Sequence, residues 1–295
     1  MTRFEKILEI CPLSSYEEDR AINGNVQFIQ ETEQRKLCPG VTYRKRLYQR
    51  GNGADVWVYI SEIAPDAQAQ LAVSACPLHT IKHVKQHAAD FDGEVLFAMN
   101  AGFFRFFNNG DLTPRGIQVM RGVIMADPGR GDLQYSHFFL GVQKNGTPLI
   151  SNTDEYEAGL KKQLEYAVGG GMQLIRDGKV FLHKLETLAP RTAVAVAYDG
   201  TAILLCCDGR SQKSAGLSYA DMIDIYLNLG YEIKDMLNLD GGGSTAVVLK
   251  EADGRFIVQN VPSGPPTPDA PAVEPHGEEQ ARPVADAVLI IKKPD

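Results

Sequence analysis

From Leu237 to Leu249 the chain reads Leu-Asn-Leu-Asp-Gly-Gly-Gly-Ser-Thr-Ala-Val-Val-Leu, and no other stretch restricts its fold as much. Three consecutive glycines are costly to order, since each loses more backbone freedom on folding than any other residue. A chain accepts them where the backbone must take a shape, or come close to something, that a β-carbon would block. Here they follow the carboxylate of Asp240 at the end of an apolar run, and they precede the hydroxyl pair Ser244 and Thr245. The pattern predicts a strand ending in an acid, then a bare turn of Gly241, Gly242 and Gly243 whose N–H groups face outward as a nest for an anion, then a second strand. The competing reading is a hairpin, for which Asp-Gly is a strong signal.

The surrounding sequence gives this stretch a setting. Val95 to Met99 is apolar without alternation, as in a strand buried on both faces, and it delivers the amide of Asn100 at its end. Ala202 to Cys207 is another apolar strand, ending at Asp208-Gly209-Arg210, with Cys206 and Cys207 facing opposite sides. Ser218 caps a helix with Asp221 three residues on, Met222, Ile225, Tyr226 and Leu229 form its apolar face, and Gly230 stops it. Strand, helix and strand over residues 202–240 have the length of a βαβ crossover, roughly thirty residues. If the two strands are parallel, Asp208 and Asp240 share one sheet edge, where ligands bind in such sheets.

The expected fold class is therefore α+β, a mixed β-sheet core with flanking helices. Residues 1–39 read as an N-terminal extension with a small helix about Phe4, Ile7 and Leu8, packed on a domain of residues 40–295. Thr80 to about Ala89 reads as a helix with His79, His83 and His87 on one face, which we read as solvated, without a metal. Pro262 to Pro283 carries seven prolines and reads as an extended loop before a final strand ending near Ile291.

Composition narrows the partners. A net charge of −7, with no run of Lys and Arg to offset it, argues against a nucleic-acid partner. No apolar run is long enough to span a membrane. Five cysteines, two of them adjacent, make a poor disulfide framework, and the first ten residues are broken by charge. The sequence as written is thus expected in the cytoplasm, and outside it only if a leader precedes this chain.

The candidate chemistry is carried by the carboxylates of Asp208 and Asp240, the cations Arg191 and Arg210, the amide of Asn100 and the glycine cradle. Paired carboxylates suit glycoside cleavage, in which one activates water or attacks the sugar carbon. Guanidinium groups and backbone N–H groups suit a phosphate. A sugar joined through its anomeric carbon to phosphate uses both halves. Taken alone, Arg191 reads equally as a surface ion pair and Asp208 as a turn residue.

Asn238 to Thr245 resembles the signature of the phosphodiester glycosidase family. Met99 to Phe104 resembles that family's Ile-Asn-Gly-Gly-Phe-Phe block, with Ala101 in place of the first glycine, and Pro190 to Ala193 its Pro-Arg-Thr-Ala block. Asp208-Gly209-Arg210, Gly216-Leu217-Ser218 and Arg282-Pro283-Val284-Ala285 also match, in order, over about residues 40–291. The resemblance implies a hydrolase that cleaves a glycosyl phosphodiester, small or glycan-borne, at the glycosidic C–O bond. Asp240, Asp208, Arg191 and Asn100 would be catalytic. Arg210, Gly102, Gly170, Gly171, Gly241, Gly242, Gly243, Ser244 and Thr245 would bind substrate. No cofactor is expected. Two alternatives stay open: a phosphodiesterase with a divalent cation between Asp208 and Asp240, and a sugar-phosphate-binding protein without turnover.

Overall fold

A computed structural model describes residues 24–106, 112–127, 137–181, 187–263 and 281–293. Strands dominate, and the three α-helices among these residues are short: Val84–Ala89, Thr153–Glu157 and Tyr219–Leu227. The fold is β-rich, which corrects the α+β expectation: apolar runs long enough for either element are strands here, and most connections are turns.

The largest sheet has eight strands. Their spatial order is Val26–Cys38, Val41–Arg50, Asp55–Ile63, Ala202–Cys207, Arg191–Ala197, Ile233–Asn238, Gln173–Arg176 and Lys179–Val180. A five-stranded sheet has Val95–Asn100 at its centre, between Val247–Lys250 and Asp286–Lys292, with Phe256–Val258 and Ala69–Ala75 outermost. The other five-stranded sheet runs Pro148–Asn152, Phe138–Gln143, Leu164–Gly169, Gln118–Met120 and Val123–Ala126. The described strand pairs in all three are antiparallel.

The βαβ expectation fails as a ladder and holds as a direction. Ala202–Cys207 and Ile233–Asn238 do not pair with each other; Arg191–Ala197 lies between them, antiparallel to both. They therefore run the same way, and Asp208 and Asp240 leave the sheet at one edge. The capping box forms as the sequence predicts: the Ser218 hydroxyl accepts the Asp221 N–H and the Asp221 carboxylate accepts the Ser218 N–H. The helix ends at Leu227, three residues before Gly230.

Both faces of the eight-stranded sheet are covered, which explains the unbroken apolar runs. One face packs Tyr59, Val194, Leu204, Cys206 and Leu237 against Phe97, Met99, Val247 and Leu289 of the Asn100 sheet. The other packs Val58, Ala193, Leu205 and Cys207 against Met222, Ile225 and Tyr226 of the helix. Cys206 and Cys207 thus do face opposite cores, and with Cys38 and Cys76 they are free buried thiols.

Two further expectations change. Val26–Cys38, within the extension expected to be helical, is an edge strand; the helix expected about Phe4 lies outside the described residues. The histidine row does not form either, because the helix begins only at Val84. His79 has φ 68° before it, His83 is its N-cap, and His87 is buried. Burial pushes the His87 imidazole down to about 4, while it contacts Ser74 Oγ at 2.9 Å and Val284 O at 3.2 Å. No helix among the described residues is long and apolar enough to cross a membrane.

Candidate functional site

The glycine stretch is not a hairpin. Its first strand belongs to the eight-stranded sheet and its second to the Asn100 sheet, with one 3-10 turn, Gly242–Ser244, between them. Two of the glycines are required by their surroundings. A β-carbon on Gly241 would stand 2.6 Å from the carbonyl oxygen of Pro190. Gly242 has φ +60°, and its β-carbon would stand 3.0 Å from Arg210 Nη1. The crossing brings Asp240 beneath the ends of strands from both sheets.

Four loop segments meet there. Asp240 N–H donates to Ala101 O at 2.8 Å, Leu239 N–H to Thr192 O at 2.9 Å, and Gly242 N–H to Pro190 O at 2.8 Å. Gly171 N–H donates to Asn238 O at 2.8 Å. The second glycine run is tight for the same reason as the first. A β-carbon on Gly170 would lie 2.6 Å from the Leu237 side chain, and one on Gly171 would lie 3.0 Å from Phe103 and 3.1 Å from Asn238 Nδ2. These glycines let the loops close around Asp240. Of the nest read from Gly241, Gly242 and Gly243, the Gly242 N–H is turned inward to Pro190 O and the Gly241 N–H is directed at Asp240. Gly243 is buried, its carbonyl accepting the Arg282 N–H at 3.3 Å.

Asp240 keeps a partly open side chain with 13% exposure. Burial pushes its carboxyl upward, while Ser244, Arg282 and the Gly241 N–H pull it back. Ser244 Oγ donates to Asp240 Oδ2 at 2.5 Å, and Arg282 Nη2 lies 3.3 Å from the same oxygen. Arg282 also donates to Ser244 Oγ through Nε at 3.0 Å and through Nη2, and its guanidinium stands 5.2 Å over the Phe104 ring. The Thr245 hydroxyl is buried and has no partner among the described residues. Arg282 is absent from the site expected from sequence, although Arg282-Pro283 belongs to a block that resembles the family; its signal was the block, and its role needed the fold.

The remaining predicted cations differ. Arg191 donates through Nε to Leu217 O at 3.1 Å and through Nη2 to Thr187 O at 2.7 Å, with its guanidinium 4.3 Å over Tyr219. Arg210, exposed and at φ 58°, has no hydrogen-bond acceptor among the described residues. Its guanidinium is held below the usual arginine range by burial and by the charges of Arg191 and Arg282, with Asp240 opposing. Arg282 and Arg210 thus share the Asp240 carboxylate, and Arg191 adds its charge to the field at Arg210, in a chain whose net charge is −7. An anion is the complement of such a cluster.

Asn100 and Asp208 lie deeper. Asn100 is fully buried: its Nδ2 donates to Asp240 O at 2.5 Å, and its Oδ1 accepts Thr192 Oγ1 at 2.9 Å and the Ala246 N–H at 3.2 Å. It clamps the two sides of the crossing together. Gly102 N–H donates to Asp286 Oδ1 at 2.6 Å. Asp208 is 3% exposed and both of its oxygens are occupied. Oδ2 accepts Tyr59 Oη at 2.7 Å, and Oδ1 accepts Asn260 Nδ2 and the Val261 N–H, each at 3.0 Å. Burial pushes its carboxyl up to about 6, with those donors pulling it back. Hydrogens facing both oxygens suit an internal strut rather than a cation ligand. Among the described residues no three His, Cys, Asp or Glu side chains are grouped to hold a metal.

Four strand ends, one central carboxylate and a cluster of guanidiniums define a polar site at the junction of two antiparallel sheets. The sequence profile of the phosphodiester glycosidase family matches residues 93–291, and the protein belongs to that family. It is 25% identical over 171 residues to the human N-acetylglucosamine-1-phosphodiester alpha-N-acetylglucosaminidase, a match covering 52% of this chain and 31% of that protein. It is 30% identical over 178 residues to the SPbeta prophage-derived uncharacterized protein YomE of Bacillus subtilis, covering 57% of this chain and 26% of that one. The matches thus span less than a third of either relative. Among solved structures, the zebrafish N-acetylglucosamine-1-phosphodiester alpha-N-acetylglucosaminidase catalytic domain, auto-inhibited by its pro-peptide, superposes with a TM-score of 0.65. That match covers 91% of this chain and 89% of that one at 18% identity, a likeness of fold.

Proposed function

We propose that the protein hydrolyses a glycosyl phosphodiester, a sugar-1-phosphate esterified to an alcohol, at the glycosidic C–O bond. The observation that carries this reading is Arg210. It is a guanidinium without an acceptor among the described residues, beside Gly242, in the field of two further arginines, and it acts on the same carboxylate as Arg282. In the proposed complex the phosphodiester is the anion that complements the cluster, held by Arg210 and Arg282 in paired hydrogen bonds. Asp240 faces the anomeric carbon and supplies the negative charge that an oxocarbenium-like transition state needs, as nucleophile or as base to water. Ser244 and Arg282 keep Asp240 ionised and oriented. The departing phosphate monoester is a weak base, and its charge is already met by the arginines, so a strong general acid is not required. Family membership supports the same reaction class.

The test is turnover of a panel of sugar-1-phosphodiesters in oxygen-18 water, with both products analysed by mass spectrometry. Label in the sugar hydroxyl supports C–O cleavage. Label in the phosphate would mean P–O cleavage and would replace this reading with a phosphodiesterase. Binding without turnover across the panel would replace it with a sugar-phosphate-binding protein.

A further inference from the structure

Asp286 opens the strand Asp286–Lys292, four residues after Arg282, and belongs to none of the blocks that resemble the family. It is 1% exposed, and both of its oxygens are used. Oδ1 accepts the Gly102 N–H at 2.6 Å, and Oδ2 accepts Gln118 Nε2. Gly102 sits in the loop that leaves the central strand at Asn100, and Asp240 grips the other side of that loop. The Asp240 N–H donates to Ala101 O at 2.8 Å, and Asn100 Nδ2 donates to Asp240 O at 2.5 Å. The loop is therefore held between two carboxylate residues, one below and one at the site. A β-carbon on Gly102 would stand 3.0 Å from both Asp286 Oδ2 and Gly169 O, so the glycine is what lets the buried acid approach. The segment 282–286 thus delivers a guanidinium to Asp240 and a carboxylate to the loop beneath it.

We propose that Asp286 is a positioning residue for the Asp240 site: by holding the Gly102 N–H it fixes the Asn100–Gly102 loop against the backbone of Asp240. The catalytic meaning of that role rests on the hydrolase reading above. A charged acceptor gives the Gly102 N–H a stronger bond than a neutral one would. Burial pushes Asp286 up to about 6, Gln118 and the Gly102 N–H pull it down, and the charge of Asp240 adds to the push. Among the described residues Cys76 also feels it, its thiol raised mainly by burial and in smaller part by Asp286. Asp240 in turn faces Arg282, Ser244, Arg210 and the Gly241 N–H. Asp286 therefore feels the ionised Asp240 through the loop that both hold.

The proposal is tested first without substrate. Carboxyl carbon-13 NMR of Asp286, assigned by its loss in Asp286→Asn, gives its titration midpoint. In Asp240→Asn that midpoint should fall by about half a pH unit or more, because a like charge has been removed. Amide hydrogen exchange at Gly102 should speed up about tenfold or more in Asp286→Ala, and clearly less in Asp286→Asn. There Oδ1 still accepts the N–H, although it is uncharged and the side-chain NH2 replaces the oxygen that accepts Gln118 Nε2. An unchanged Asp286 midpoint, or a Gly102 amide equally protected in Asp286→Ala, would overturn the proposal. With a turned-over phosphodiester, Asp286→Ala should lose about tenfold or more in kcat, and Asp286→Asn should restore most of it. Equal loss in both variants would likewise overturn it. A wild type with no turnover sinks the hydrolase reading and leaves the titration and exchange results standing.

Discussion

Two strand ends of the eight-stranded sheet invite comparison, because their sequences look alike and their environments do not. Ala202–Cys207 and Ile233–Asn238 run in the same direction, flank the same strand, and each lead to an aspartate followed by a glycine. Asp208 is sealed by Tyr59, Asn260 and Val261, with three donors on two oxygens. Asp240 is partly open, and its partners are the buried Ser244 hydroxyl and the guanidinium of Arg282, which is itself partly exposed. The difference arises from the path of the chain beyond each acid. After Asp208 the chain turns back through Ser214, whose hydroxyl donates to Asp208 O at 2.9 Å. After Asp240 the glycines carry the chain into a second sheet and leave the carboxylate at the junction. An acid at a strand end becomes a site when the backbone beyond it keeps it uncovered.

The sharpest way to break this comparison is the same substitution at both ends. Asp240→Asn preserves size and hydrogen-bonding shape and removes the charge on which the proposed chemistry depends. It should cost on the order of 10²-fold or more in kcat on a glycosyl phosphodiester. Asp208→Asn should stay within about fivefold, because its oxygen still holds Asn260 and Val261, and Asn260 holds Val247 N–H at 2.8 Å and Thr245 O at 3.1 Å behind the glycine turn. Near-normal turnover in a folded Asp240→Asn variant would remove the distinction and the proposal with it.

The arginines give the next largest effect. Arg210→Ala should lower kcat/KM by about tenfold or more with little change in stability, because the side chain holds nothing else among the described residues. Arg191→Lys should cost less, about threefold, since the guanidinium is occupied by Leu217 O and Thr187 O and contributes mainly its charge. The reverse order of these two effects would move the phosphate to the Arg191 side of the cluster. Gly242→Ala offers a third comparison: with φ +60° and Arg210 Nη1 3.0 Å away, the methyl should both strain the turn and displace the arginine. Steady-state kinetics beside a melting curve would show a several-fold rise in KM with a Tm loss of a few degrees.

Much of this was legible in the residues. The capping box, the central strand Val95–Asn100, the opposed cysteines and the parallel direction of the two aspartate-bearing strands follow from periodicity and local chemistry. The features that were not legible depend on distant partners. Tyr59 and Asn260 lie 149 and 52 positions from Asp208, and nothing local to Asp208 announces that they will cover it. Arg282 reaches Asp240 across 42 positions, beyond a proline-rich stretch that reads as loop. The antiparallel strand between the two parallel ones was hidden because a βαβ spacing is the same whether the strands are adjacent or one place apart. The histidine row failed because spacing alone cannot say that a helix begins after its first two members.

The smallest effect separates the two acids by pH rather than by rate. Asp208 ionises near 6 in the folded protein, against about 3.9 for an ordinary aspartate, because burial outweighs its three donors. A carboxyl raised in this way binds its proton more tightly folded than unfolded. Its contribution to stability therefore falls as pH rises from about 4 to about 6. Above that the cost is fully present, of order 3 kcal/mol for a midpoint that folding raises by about two pH units. His87 acts in the opposite sense over an overlapping range: held down to about 4, it takes stability away as pH drops below about 6.5. The two can mask each other in the wild type, so the informative quantity is the difference between wild type and Asp208→Asn. The variant should melt several degrees higher than wild type at pH 7.5, and the gap should narrow or close by pH 4.5, where Asp208 is protonated anyway. Calorimetry at both values, with His87 present in both proteins, cancels its effect. A gap of the same size at both pH values would mean that ionising Asp208 costs the fold nothing, and the contrast between a sealed strut and an open site would lose its electrostatic half.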